Sequence, residues 1–220
     1  MAGATLREKE PYTSLLFCRH GITDYPEDRF YPSTGGPQGS PQMNAEPSLN
    51  EHGRLQAQHL GKYFEALGKL DALYVSPALR TRQTMEPIAQ GRDIPIVVIT
   101  ELGERGMGLW DDCTAQEIQQ RDPEGWKRWK TEPLSFAPPG GESLTDFSQR
   151  VEKAVGMILE KENGRIVVVV THVGPIRVAT ATALGIPLEN SKRLVVTPGS
   201  VTRIHYTKSW PNLVLFGHQP

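Results

Sequence analysis

The run Arg165-Ile-Val-Val-Val-Val-Thr-His-Val-Gly174 constrains the fold more than any other stretch of the chain. Residues Ile166 to Val170 are all apolar and β-branched. A run without polar alternation leaves neither face for water, as in a parallel strand covered by helices on both sides. It is far too short to cross a bilayer. It delivers His172 at its end, and Pro175 follows near the start of a helix. The opening of the chain has the same form. Leu15 to Cys18 reads as a buried strand that breaks into Arg19-His20-Gly21, where glycine lets the backbone turn without a Cβ clash. In open α/β sheets, ligands bind in the crevice beyond the carboxyl ends of the strands. His20 is therefore a candidate nucleophile toward phosphate, with Arg19 as a phosphate ligand. Taken alone, the tripeptide favours a strand-end histidine making an ordinary hydrogen bond, because three-residue motifs recur by chance.

Further strand exits supply further candidates. Asp71 to Val75 reads as a strand, and Ser76-Pro77 after it predicts a helix N-cap with proline at the first helical position. That puts Arg80 and Arg82 in the first turns of a helix, where anions are already favoured. Ile94 to Ile99 is a third predicted strand, and the Gly-rich loop Leu102 to Gly108 beyond it carries Glu104. Leu194 to Val196, Val201 to Tyr206 and Leu213 to Phe216 read as closing strands at a sheet edge.

Ser48 with Glu51, and Thr114 with Glu117, have the spacing of capping boxes. The first opens a helix carrying Leu55, Leu60, Phe64 and Leu67; His52 and His59 on it are expected to be structural. Ser143 and Asp146 cap a helix with Phe147, Val151, Val155 and Ile158 on one face. Trp126 and Trp129 are expected to pack a short helix onto the body. Strand and helix alternate throughout, which predicts an α/β fold: a single doubly wound, mostly parallel sheet flanked by helices on both faces. Residues 1–13 read as a flexible lead-in and 14–220 as one catalytic domain. Within it, 24–47 is a Pro-, Gly-, Ser- and Asn-rich loop leaving the site directly, expected to be a lid or substrate loop. Thr23, Tyr25 and Arg29 are possible substrate contacts; Phe30 and Tyr31 add aromatic groups nearby.

Composition narrows the function. A net charge of −1 over 220 residues gives no global attraction to nucleic acid or membrane, so an anion site must be built locally. The 2 cysteines, Cys18 and Cys113, form no paired zinc pattern. Neither is followed six residues later by arginine, since those positions hold Asp24 and Gln119, so a cysteine-based phosphate loop is not supported. The N-terminal decapeptide has no apolar signal core, and reduced thiols in a cytoplasmic protein are expected. The apolar C-terminal patch leaves a homodimer open.

Five segments taken together carry a family resemblance. Arg19-His-Gly-Ile-Thr23, Ser76-Pro-Ala-Leu-Arg80-Thr-Arg-Gln-Thr84, Leu102-Gly-Glu-Arg105, Pro139-Gly-Gly-Glu-Ser143 and Thr171-His-Val-Gly174 resemble the ordered signatures of the histidine phosphatase superfamily, in its phosphoglycerate-mutase-like branch. The resemblance implies that His20 becomes phosphorylated, that Arg19, Arg80 and His172 hold the phosphoryl oxygens, and that Glu104 donates a proton. It implies no metal and no cofactor. The chain departs from the family pattern at Ile22, where Glu or Gln is frequent, and at Pro26, where Asn is frequent. Both departures fall on the substrate side. The expected function is a metal-independent phosphomonoester hydrolase acting on a small phosphorylated metabolite. A phosphoglycerate mutase would use the same residues. An inactive interaction module would have no need of all five.

Overall fold

The computed structural model describes residues 11–26, 28–30 and 46–220. Most of the expected lead-in and of the loop 24–47, including Tyr31, lies outside these residues. Six strands form one sheet: β1 (Thr13–Arg19), β2 (Ala72–Val75), β3 (Ile96–Val98), β4 (Ile166–Thr171), β5 (Val201–Tyr206) and β6 (Pro211–His218). Their order is β3-β2-β4-β1-β5-β6. The first four run parallel, β5 is antiparallel to β1, and β6 is antiparallel to β5.

The valine run explains the layering. In β4, Val167 and Val169 pack into one core with Leu15, Phe17, Phe147, Val151 and Ile176. Val168 and Val170 pack into the opposite core with Leu16, Cys18, Leu60, Phe64 and Met85. Successive side chains point to opposite faces of a sheet, so both faces must be apolar when both are covered. Helices α1 (Glu51–Leu67) and α2 (Leu79–Ala89) cover the second face; α5 (Leu144–Lys161) and α6 (Val173–Leu184) cover the first. All four valines are wholly buried. Such burial stabilises by about 1.5–3 kcal/mol per side chain relative to exposure. The short helices α3 (Ala115–Arg121) and α4 (Pro123–Thr131) join a smaller cluster of Met107, Trp110, Cys113, Ile118 and Phe136, against which Phe30, Trp126 and Trp129 pack.

Some local expectations need correction. The α1 cap is Asn50, whose side chain accepts from Gly53 N at 2.8 Å, and not Ser48. Leu49 is held extended by a bridge to Thr23 and by its N–H on Gln83, so the helix cannot start earlier. His52 and His59 on α1 are exposed. Helix α2 starts at Leu79 after Ala78, whose side chain cannot cap; Glu46 Oε2 accepts from Leu79 N at 2.7 Å instead. The Ser76 backbone N–H is bonded to Val170 O, which keeps Ser76 on the end of the sheet and out of the helix. Leu194 to Val196 forms no strand; it follows a 3₁₀ segment, Leu188–Arg193. The Thr114–Glu117 capping box and the Ser143 cap of α5 are both present. Thr13 belongs to β1. Among the described residues, no helix is long and apolar enough to cross a membrane.

Candidate active site

Four parallel strands present their carboxyl ends to the same side, and the groups that follow them meet there. His20 follows β1 and its N–H bonds to Thr171 O of β4 at 3.0 Å. His172 follows β4 and is the N-cap residue of α6. Ser76 and Arg80 follow β2. Glu104 comes after β3 and a 3₁₀ turn, Thr100–Leu102. The Thr171 hydroxyl donates to Leu102 O at 2.6 Å and ties that turn to the end of β4.

His20 is 4% exposed. Its Nδ1 lies 2.8 Å from Gly21 O. A carbonyl can only accept, so Nδ1 carries the proton and Nε2 keeps a lone pair. Gly21 is required by a close approach: a Cβ there would lie 2.5 Å from Gly53 O of α1. The His20 and His172 rings are 5.2 Å apart, at 65°. Arg80, wholly buried, places Nη2 3.2 Å from His172 Nδ1, and His172 Nε2 is 2.7 Å from Ser76 Oγ. A guanidinium cannot accept, so His172 Nδ1 is the acceptor here and Nε2–H donates to the serine. Both imidazoles titrate well below the usual histidine value. Burial is the largest cause for each, followed by the positive charge of Arg80. Arg19 donates from Nη1 to Val196 O at 2.6 Å.

Both carboxyl oxygens of Glu104 are gripped by main chain. Oε1 accepts from Arg105 N at 2.9 Å, and Oε2 from Gly174 N at 3.1 Å. A Cβ at position 174 would lie 2.0 Å from Oε1, so only glycine admits the carboxyl here. The Glu104 loop is clasped from outside by Arg150 of α5, whose guanidinium donates to the carbonyls of Glu101, Gly103 and Glu104. Arg150 is paired with Glu142 at 2.7 Å, and Glu142 also accepts from Gly106 N. The Gly-Gly-Glu-Ser segment therefore supports the Glu104 loop.

Arg19, His20, Arg80, Glu104 and His172 all line one cavity of about 350 Å³, together with Phe30, Met107, Trp129, Phe147, Arg177 and Lys192. Thr23, Tyr25 and Arg29 do not line it. The Thr23 hydroxyl accepts from Tyr25 N, the Tyr25 hydroxyl donates to Asp112, and Arg29 bonds to Asp112 O and Glu117. Tyr25 and Arg29 bind the start of the long loop to the α3 region, while Thr23 is bridged to Leu49 ahead of α1. Trp129, expected only to pack, also walls the cavity. Sequence reasoning missed Ser76 as a partner of His172, Arg150 as the clasp, and Arg177. Arg177 had a readable signal: a lone cation between Ile176 and Val178 in an otherwise apolar helix. Cys18 is buried in β1, and burial pushes its thiol up, away from nucleophilic use. No group of three or more His, Cys, Asp or Glu able to hold a metal ion occurs among the described residues.

Such a site can hold a tetrahedral anion between two guanidiniums, offer it an imidazole lone pair, and exchange a proton with a nearby carboxyl. Comparison with known proteins agrees with this chemistry. The family model of the histidine phosphatase superfamily (branch 1) matches residues 15–219. A bifunctional protein of Mycobacterium tuberculosis is 35% identical over 172 residues, 78% of this chain and 44% of its own length, so the chain spans less than half of that relative. Phosphoserine phosphatase 1 of Hydrogenobacter thermophilus is 31% identical over 174 residues, covering 79% of this chain and 77% of its own. A solved structure of a Bacillus stearothermophilus protein superposes with a TM-score of 0.80 at 32% identity, over 93% of this chain and 96% of that one.

Proposed function

The chain belongs to the histidine phosphatase superfamily, branch 1, and from that premise we propose that it hydrolyses phosphomonoesters of small metabolites through a phosphohistidine formed on His20. The observation that carries the proposal is the setting of His20. It is buried beside Arg80, with its Nδ1 proton on Gly21 O, and so presents an unprotonated Nε2 at neutral pH.

Phosphoryl transfer spreads negative charge over the equatorial oxygens, and catalysis is chiefly positioning and charge stabilisation. Arg19 and Arg80 carry permanent charge and a forked donor geometry suited to phosphate. At about 4 Å and an effective dielectric near 20, each charge pair is worth about 4 kcal/mol before desolvation. His20 Nε2 attacks phosphorus, and the bond to the ester oxygen breaks. Protonated Glu104 gives its proton to that departing oxygen. As carboxylate it then takes a proton from water, whose oxygen attacks phosphorus and breaks the P–N bond. Inorganic phosphate leaves and His20 is regenerated. His172 must carry its proton on Nδ1 to donate to a phosphoryl oxygen. Ser76 permits this change of tautomer, because its hydroxyl can turn and donate into Nε2 in exchange.

The test is to supply a panel of phosphorylated metabolites, follow released phosphate, and trap the enzyme in acid and in alkali. An acid-labile, alkali-stable phosphoenzyme is expected. His20→Ala removes it and lowers turnover by about 10⁴-fold or more, the scale of losing a nucleophile. Wild-type activity in that variant overturns the assignment. Rapid isomerisation of 3-phosphoglycerate, primed with bisphosphoglycerate and releasing little phosphate, overturns hydrolysis in favour of a mutase.

A further inference from the structure

The cavity holds more positive charge than one phosphate needs. Arg105, Arg177 and Lys192 line it in addition to Arg19 and Arg80, against the carboxylates Glu104 and Glu189. With both imidazoles neutral, a phosphomonoester dianion leaves the lining with one positive charge in excess, and with two when Glu104 is protonated to act as acid. This excess is local, because the whole chain is slightly acidic.

The three additional cations are used differently. Arg105 is committed to the framework: Nε and Nη2 donate to Glu142 O at 3.0 and 2.8 Å, and its guanidinium stacks on Trp129 at 4.5 Å. Among the described residues Arg177 is fixed at one point, by Nε donating to Leu194 O at 2.8 Å. Its Nη1 and Nη2 bond to no described residue and belong to no ion pair. A half-buried guanidinium that lines a cavity and is held by Nε keeps its terminal nitrogens available for an incoming anion.

Its position identifies which part of the substrate it meets. Gly174, whose N–H holds Glu104, and Arg177 are three residues apart on α6 and so share a face one turn apart. Arg177 therefore stands beside the proton donor, where the alcohol portion of the ester must lie. The Glu104 charge reaches it and opposes the effect of burial on its guanidinium. Trp129 and Phe147 give the same region apolar walls.

We propose that Arg177, with Lys192 at the cavity lip, binds a second anionic group on the alcohol portion of the substrate, so that preferred substrates are phosphomonoesters of hydroxy acids whose carboxylate lies on the leaving-group side. This rests on the hydrolase reading of the same cavity, and its test can be separated from that reading. Binding of 4-carboxybenzylphosphonate and 4-methylbenzylphosphonate is measured by calorimetry, in wild type, Arg177→Gln and Arg177→Lys. These probes cannot be hydrolysed. Wild type is expected to bind the carboxylate about tenfold or more tighter, the scale of a charge-assisted pair. Arg177→Gln should bring the ratio to about one, and Arg177→Lys should keep part of it. Equal affinities in wild type overturn the proposal without any variant having to fold. A ratio unchanged in Arg177→Gln also overturns it. Turnover of the matching aryl phosphates is read separately: preference in binding without release of phosphate sinks the hydrolase reading and leaves the anion site standing.

Discussion

At the inner end of the cavity the reacting side chains are held in place, His172 and Glu104 from two directions each; at the outer end the holds are few. His20 is fixed by Gly21 O, and His172 is bracketed by Arg80 and Ser76. Glu104 is gripped by two backbone N–H groups, and its loop is clasped by Arg150. Arg177 has one hydrogen bond among the described residues, and Lys192 is exposed. The inner groups come from the ends of four parallel strands, whose positions are set by two cores. The outer wall is drawn from Phe30, Trp129 and the 3₁₀ segment Leu188–Arg193, which belong to smaller or later pieces of the fold. The contrast separates two tasks. Phosphoryl chemistry demands fixed geometry, because displacement of a reacting group by about 1 Å can cost about 10²-fold in rate. Recognition of the alcohol portion can be carried by groups that wait for a ligand to order them.

After His20→Ala, the largest expected effect also strikes the inner end alone. Glu104→Gln should slow hydrolysis of alkyl phosphates by about 10²–10⁴-fold, the usual worth of general acid–base catalysis. It should slow 4-nitrophenyl phosphate far less, since that leaving group needs little protonation. The glutamine amide would also set a donor against one of the two N–H groups that now grip the carboxylate. Equal losses on both substrates would remove Glu104 from the acid role. A smaller effect is expected at the seam between the two ends. Gly174→Ala should lower kcat by about 10²-fold, because the new methyl must displace the Glu104 carboxyl or the Phe147 ring, while the other inner groups stay in place. Unchanged kcat, measured with the fold verified by circular dichroism, would show that the carboxyl has freedom the contrast denies it.

The smallest effect concerns stability. His20 and His172 stay neutral in the folded chain at pH values where an unfolded imidazole, with a pKa of about 6.5, binds a proton. Below that pH the unfolded state binds more protons, so stability falls as pH falls, by up to about 1.4 kcal/mol per pH unit for each imidazole. Thermal unfolding in phosphate-free buffer between pH 7.5 and 5.5 should show this fall, and a His20→Asn, His172→Asn double variant should flatten it. An unaltered slope in the double variant would mean that other groups carry the acid sensitivity.

The same contrast explains which features are legible in the residues themselves. Strand exits are legible because an apolar run that stops at a polar group is a local pattern, and in a parallel sheet local patterns share a destination. Leu15 to His20 and Ile166 to His172 are of this kind, as is Thr114 with Glu117. Ser48 and Ser76 failed as caps because a long-range contact decided each: Leu49 is tied to Thr23, and Ser76 to Val170 and His172. Leu194 to Val196 has strand composition, yet the Leu194 and Val196 carbonyls accept from Arg177 and Arg19 and form no ladder. Tyr25 and Arg29 had the right chemistry for substrate contacts, but Asp112 and Glu117 engage them first. Which polar groups meet across a fold is a property of packing, and residue type does not encode it.

The acceptor that sets the His20 tautomer is a peptide oxygen. The N–H of that same peptide, Ile22 N, donates to Gln56 Oε1 of α1 at 2.9 Å, and Gly21 is pressed on Gly53 of the same helix, so the plane of that peptide is held against swinging. No side-chain replacement deletes a main-chain oxygen. The protonation of the attacking ring is therefore insulated from every change that re-tunes the far wall for a different alcohol. A weak point lies on a helix that does not line the cavity: a methyl group at Gly53, 2.1 Å from Ile22 O, would push on the hinge from behind.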